Sequence, residues 1–320
     1  MSRHALTPRV GPRARRAVQA LSAVLALGLL AWLLQGVDVH ALADTARRMP
    51  AATWALALAG VAATYALRAA RLQAEWQGRT GARFVDCLAL FAWHNAAVSL
   101  LPLRAGEAGY AWWLHRHWQV PLARSLPSLL WLRLQDAAVL GTLVVALLVS
   151  PGLALAAVAA MAALAAVLLR RGWHGALHDG DDVHGAGRAP WPRRLLQGLY
   201  GGRGGWRSWA FCIANWAIKL GVSALLLQAA GLRPAALGWC GAAGAEAGAA
   251  LPLQAPAGLG VFEAGALAGV HACTAAPMEA GTVVGAALLV HALWLLASVG
   301  AALAVLVARR GLAAPLRAPS

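Results

Sequence analysis

Lysine is almost missing from this chain. Lys219 is the only one in 320 residues, so arginine carries nearly all of a formal net charge of +15. Charge of either sign is scarce, at 12% of residues against 60% hydrophobic, and mean hydropathy is +0.62. That balance excludes an ordinary soluble domain and indicates a polytopic membrane protein. In such a chain arginines report cytoplasmic loops, so the basicity does not point to nucleic acid. Cysteine is scarce too. Cys87, Cys212, Cys240 and Cys273 lie in or beside apolar runs without paired spacing. They read as small hydrophobes, not as a metal site or a disulfide frame. The Gly-rich stretch 200–205 lacks the Lys-Ser/Thr of a phosphate-binding loop and a preceding strand. No Ser/His/Asp or Cys/His set stands out, so neither an enzyme nor a cofactor is expected.

What the chain does have is long apolar runs. The expected fold class is all-α, a polytopic membrane protein with about six full spans, at 17–37, 51–67, 123–149, 153–169, 208–230 and 280–308. Residues 1–16 are polar and arginine-rich, and Ala41-Leu42-Ala43 resembles a cleavage site. The run 17–37 exceeds the usual signal-peptide core of about 7–15 residues, which favours an uncleaved first span. Residues 68–83 read as a basic connector with Arg68, Arg71, Arg79 and Arg83.

Two apolar segments are interrupted. One breaks at Leu101-Pro102-Leu103-Arg104-Ala105-Gly106-Glu107, between the runs 84–101 and 106–118. The other breaks at Leu251-Pro252-Leu253-Gln254-Ala255-Pro256-Ala257-Gly258-Leu259-Gly260-Val261-Phe262-Glu263, between 235–250 and 259–272. No piece reaches the roughly 20 residues a span needs, so each pair predicts a re-entrant hairpin. If the first hairpin crossed the membrane instead, the arginines of 170–207 would lie outside, against the positive-inside rule. The first hairpin is therefore expected to open from the cytoplasm and the second from outside. The result is a single transmembrane domain over 1–320, with an inverted repeat of halves 51–149 and 208–308 and a cytoplasmic basic loop at 170–207. Both termini are expected in the cytoplasm of an inner-membrane protein.

A helix broken at membrane depth is tolerated only inside protein or beside a water-filled cavity. Pro102, and Pro256 with Gly258 and Gly260, can open half-helices whose free N–H groups form an anion site. Gly106 gives the same freedom in the first copy. Arg104 offers a fork suited to phosphate. Arg133 and Asp136, at i and i+3, share a helix face. Glu107, Glu246 and Glu263 are carboxylates that need partners at depth. Two readings stand for Arg104–Glu107 and Arg133–Asp136: structural ion pairs that lock the hairpins, or groups that hold a substrate or protons. His94 and Asn95 can hydrogen-bond the break or touch a ligand. Lys219, one turn from Asn215, either pairs with a hairpin carboxylate or fills a polar interior position. The His/Asp-rich run 174–184 is either a metal site or a solvated linker.

Asn95, Leu101-Pro102, Arg104, Gly106-Glu107, Arg133-Leu134-Gln135-Asp136 and Pro256 to Glu263 together resemble the transmembrane domain of lysylphosphatidylglycerol synthases. Tyr110 stands where an arginine is common, and Ala257-Gly258 where a Gly pair is usual. The resemblance covers most of 17–308, and the short tail after 308 leaves no room for the aminoacyl-transfer domain. It implies translocation of a lipid between leaflets, without its synthesis. The implied partner is an anionic or phosphate-bearing lipid, held by Asn95, Arg104, Gly106, Glu107, Arg133, Asp136, Gly258, Gly260 and Glu263. The alternative is a membrane subunit or scaffold for a lipid-modifying or glycosyl-transferring enzyme.

Overall fold

The structure, a computed structural model, describes residues 39–100, 106–153, 155–156, 158, 205–251, 256–276 and 278–311. Among these there is no strand. The helices are α1 (Val39–Arg48), α2 (Ala51–Thr80), α3 (Phe84–Leu100), α4 (Ala108–Trp118), α5 (Leu122–Leu148), α6 (Gly205–Ala229), α7 (Ala235–Ala250), α8 (Val261–Cys273) and α9 (Ala280–Gly311). Four are long and apolar enough to cross a membrane: α2, α5, α6 and α9. They carry four of the six expected spans. The run 17–37, nearly all of 153–169 and most of the loop 170–207 lie outside the described residues.

One boundary needs correcting. Residues 68–83 are not a connector, because α2 continues past residue 67 to Thr80. Neither proline nor a β-branched run interrupts 68–79, and the helix ends where Gly81 takes φ 65° and returns its N–H to the Gln77 carbonyl. Arg68 and Arg71 are thereby carried into the bundle.

Side-chain pairings fix the directions of the helices. Arg68 meets Asn215 and Arg71 meets Ser208, so α2 and α6 run antiparallel. Gln135 meets Ser208 and Asp136 meets Cys212 and Trp216, so α5 runs parallel to α6. Tyr65 meets Asn95 while Arg68 lies over Phe91, which sets α3 antiparallel to α2. Lys219 meets Glu246 while Leu227 packs on Gly241, which sets α7 antiparallel to α6. The first hairpin, α3–α4, therefore enters and leaves at the end of the bundle where α2 finishes and α5 begins. The second, α7–α8, enters and leaves at the opposite end. Helix, broken hairpin, helix occurs twice, in opposite directions.

The two hairpins are built differently. In the second, α7 and α8 touch backbone to backbone. A Cβ on Gly244 would lie 2.2 Å from the Gly265 carbonyl oxygen, and one on Gly269 would lie 2.2 Å from that of Cys240. Only glycine fits such an approach. The limbs are also joined by a disulfide between Cys240 and Cys273, whose Cα atoms are 6.4 Å apart. This corrects the reading of these two cysteines as small hydrophobes. They lie 33 residues apart, and only the fold of the hairpin brings them together. Cys87 and Cys212 are buried free thiols, as expected. In the first hairpin, α3 packs mainly on α2 and α9, and α4 mainly on α5.

The main core lies between α2, α6, α7, α8 and α9, around Ala57, Val61, Leu220, Leu227, Phe262, Val270, Val283 and Val290. A second cluster, with Trp76, Leu90, Tyr110 and Leu114, seats the first hairpin on α2.

Candidate functional site

Among the described residues, two cavities inside the bundle share a wall. The larger, about 170 Å³, is lined by Tyr65, Asn95, Ser99, Lys219, Glu246 and His291, with Ala257 and Gly258 at the tip of the second hairpin. The smaller, about 100 Å³, is lined by Arg71, His94, Tyr110, Arg133 and Asp136. Arg68, Phe91, Asn95 and Val98 line both. The deep end of α3 and the tip of the second hairpin thus face each other across the larger cavity.

The walls are held by ion pairs placed by neighbouring helices. Arg71 donates to Asp136 Oδ1 at 2.7 Å, and also to Gln135 Oε1 and the Leu132 carbonyl, each at 2.8 Å. Trp216 and Cys212 approach the same Asp136 oxygen, both at 3.3 Å. Arg133 reaches Glu107 at 3.2 Å and His94 at 3.3 Å, with Asp136 at 3.8 Å. Lys219 pairs with Glu246 and lies between the rings of Trp216 and Trp294, 5.2 and 5.3 Å from their centroids. Charges at this depth each cost about 2.5–3.5 kcal/mol on insertion scales, so pairing is the condition for burying them.

The tip of the second hairpin has its own device. Glu263 is fully buried and accepts the Gly260 N–H at 2.7 Å, capping the start of α8 from its third residue. Its other oxygen meets His291 Nδ1 at 2.6 Å, while His291 Nε2 meets the Ala257 carbonyl at 2.8 Å. Ala257 sits at φ 62°, a left-handed backbone that costs a non-glycine residue about 1–2 kcal/mol.

Of the expected site residues, Asn95 lines both cavities, Gly258 the larger, and Arg133 and Asp136 the smaller. Glu107 supports Arg133. Gly106 is packed onto the Ala97 backbone. Gly260 and Glu263 bond to each other behind the tip, so that amide is already occupied. Arg104 and Pro102 lie outside the described residues, as does the His/Asp-rich run 174–184. The open question over Lys219 is settled by Glu246, and Asn215 accepts from Arg68 at 3.0 Å.

Sequence reasoning missed Arg68, Arg71 and His291. The available signal was the absence of any breaker up to Gly81, which puts both arginines on one face of a continuing helix. For His291 it was a lone imidazole inside a long apolar run.

A search of curated proteins finds none that matches the chain. The sequence profile described as the lysylphosphatidylglycerol synthase TM region matches residues 19–310. The chain therefore belongs to the lysylphosphatidylglycerol synthase transmembrane-region family.

Proposed function

We propose that this membrane protein moves a phosphate-bearing lipid between the leaflets of the cytoplasmic membrane. The observation that carries the reading is the meeting of two broken hairpins, entering from opposite ends, around a pair of cavities with a common wall, each carrying charged side chains among apolar ones. Broken helices at depth are the usual framework of a transport site, and rocking of one half against the other is the usual way to open it. The headgroup occupies the cavities and the acyl chains stay among the helices. Arg133, Asp136, Glu107 and Asn95 shape the cytoplasmic-side cavity, and Gly258 and Ala257 cap the other.

The disulfide supports an orientation. Disulfides persist on oxidising, extracytoplasmic faces, and Cys240 and Cys273 both lie against the Leu147 carbonyl near the C-terminal end of α5. That end of the bundle faces outward in this reading. Arg79, Arg83, Arg116, Arg124 and Arg207 sit at the other end, in accord with the positive-inside rule.

The test is a leaflet-exchange assay on purified protein in vesicles, using fluorescent phospholipids and a membrane-impermeant quencher. Val98, on the common wall, is replaced by Trp to fill the cavities. The reading expects exchange above protein-free vesicles and its loss in Val98→Trp of unchanged thermal stability. Exchange at the protein-free rate with wild-type protein overturns it.

A further inference from the structure

Resting on that reading, we infer that Glu75 is a proton-binding site joined to the smaller cavity through Ser128 and Tyr110, and that the proton is the ion coupled to transport.

Glu75 lies in α2, one turn beyond Arg71, and is only 2% exposed. It forms no ion pair among the described residues, and its Oε2 is enclosed with no hydrogen-bond partner. The charges that act on it come from its own helix, Arg79 and Arg71. Arg71 turns all three of its nitrogens elsewhere: to Asp136, to Gln135 and the Leu132 carbonyl, and to Ser208. The other elements bring hydroxyls to Glu75 rather than charges, Ser128 from α5 and Tyr110 from α4. An isolated carboxylate buried in this way takes up a proton rather than remain ionised. Glu75 is thus a neutral acid in this conformation.

The hydroxyls give that proton a route. Trp76 Nε1 donates to the Tyr110 hydroxyl at 3.0 Å, and the Ser128 hydroxyl lies 3.1 Å from the same oxygen. An indole N–H only donates, so one lone pair of Tyr110 is always taken. With Glu75 protonated, its O–H faces Ser128, Ser128 donates to Tyr110, and the Tyr110 hydrogen turns to the smaller cavity that this residue lines. Release moves one proton. The acid O–H bond breaks, each hydroxyl passes on its own hydrogen and receives its neighbour's, and a water in the cavity takes the last. Tyr110 then donates to Ser128, and Ser128 to the carboxylate. His94 is not the acceptor: Arg133 can only donate to its Nε2, which fixes the hydrogen of the neutral ring on Nδ1.

Release also sets up a competition for Arg71. The arginine then stands between Asp136, its partner here, and an ionised Glu75 at i+4 on its own helix. Attraction to Glu75 loosens its hold on Asp136, and with it the seam of α2, α5 and α6. The proton favours the joined seam and its loss favours separation. Such a difference in affinity between two conformations is what coupling requires.

The experiment places the full chain in vesicles of phosphatidylethanolamine and phosphatidylglycerol containing the fluorescent phospholipids of the leaflet assay. A pH gradient is imposed with the membrane potential clamped at zero. Wild type, Glu75→Gln and Tyr110→Phe are compared, with thermal stability measured alongside. Infrared difference spectra of the same proteins in detergent read the carbonyl stretch of a protonated carboxyl group. One proton moved per lipid displaces the leaflet distribution by up to about tenfold per pH unit. Wild type is expected to show a displacement, and both variants to show none. The carbonyl band is expected in wild type and Tyr110→Phe, and not in Glu75→Gln. An even distribution under the gradient in wild type, or a displacement that survives in Glu75→Gln, overturns the inference and leaves the transport reading standing. A displacement that survives in Tyr110→Phe overturns the route. No lipid exchange at any pH overturns the transport reading and the coupling with it. The band then decides the proton site, which stands if Glu75→Gln removes it and falls if it does not. Should Glu75→Gln fail to fold, Glu75→Asp replaces it: a shifted band sustains the site and an unshifted one ends it.

Discussion

His291 clamps the second hairpin to α9, with Nδ1 2.6 Å from the Glu263 carboxylate and Nε2 2.8 Å from the Ala257 carbonyl. His291 Nε2 faces the Ala257 carbonyl, which can only accept, so that nitrogen carries a hydrogen. The dyad ties the strained Ala257 to α9. Replacing His291 by Ala leaves a buried carboxylate without its partner, so a loss of about 3–5 kcal/mol of stability is expected. Thermal unfolding in detergent reads it. Hydrogen exchange should rise first at residues 257–260, and the double variant His291→Ala/Glu263→Gln should lose less than the two single losses added together.

Arg71 holds the seam between α2, α5 and α6. It joins Asp136, Gln135 and the Leu132 carbonyl at once, a set that needs a planar fork. Arg71→Lys is expected to recover less than half of the loss seen in Arg71→Ala, which should reach about 3–5 kcal/mol. Equal stability of Lys and Ala variants with wild type, in a thermal melt, would contradict this role.

Glycines in this fold divide into those that must stay small and those that need not. Gly244→Ala places a methyl against the Gly265 carbonyl and should cost about 1–3 kcal/mol or more through forced separation of α7 from α8. A methyl added at Gly141, in α5, would meet nothing within 4 Å. Gly141→Ala should leave stability unchanged or raise it by about 0.5–1 kcal/mol, since alanine favours a helix interior. Paired melting curves separate the two outcomes.

Non-reducing peptide mapping should recover Cys240 and Cys273 in one linked pair and Cys87 and Cys212 as free thiols. In a background without native cysteines, Arg233→Cys should react with an impermeant maleimide on intact cells, and Arg116→Cys only after lysis. The reverse pattern would invert the proposed orientation.

The broken hairpins were legible from proline and glycine clustered inside apolar runs: α3 ends at Leu100 and α4 begins at Ala108, and α7 ends at Ala250 and α8 begins at Val261. Arg133–Asp136 was legible as one face of one helix. Arg68 and Arg71 were not, because charge counting assigns an arginine beyond a span to a loop, and only a continuous helix reverses that. The Cys240–Cys273 bond left no local pattern, since 33 residues and a hairpin intervene. The Glu263 cap was obscured by the glycine at Gly260, where the usual signature has a hydroxyl side chain.

Backbone contact between α7 and α8 has a mechanical corollary. With backbone against backbone at Gly244, Gly265 and Gly269, and a covalent tie between Cys240 and Cys273, few side chains between these limbs can change rotamer to let them splay. The α3–α4 pair has one such backbone approach, Gly106 onto Ala97, and beyond it each limb leans mainly on a different neighbour. The two hairpins are thus held unequally: one is tied along its length and at its ends, the other chiefly through its neighbours.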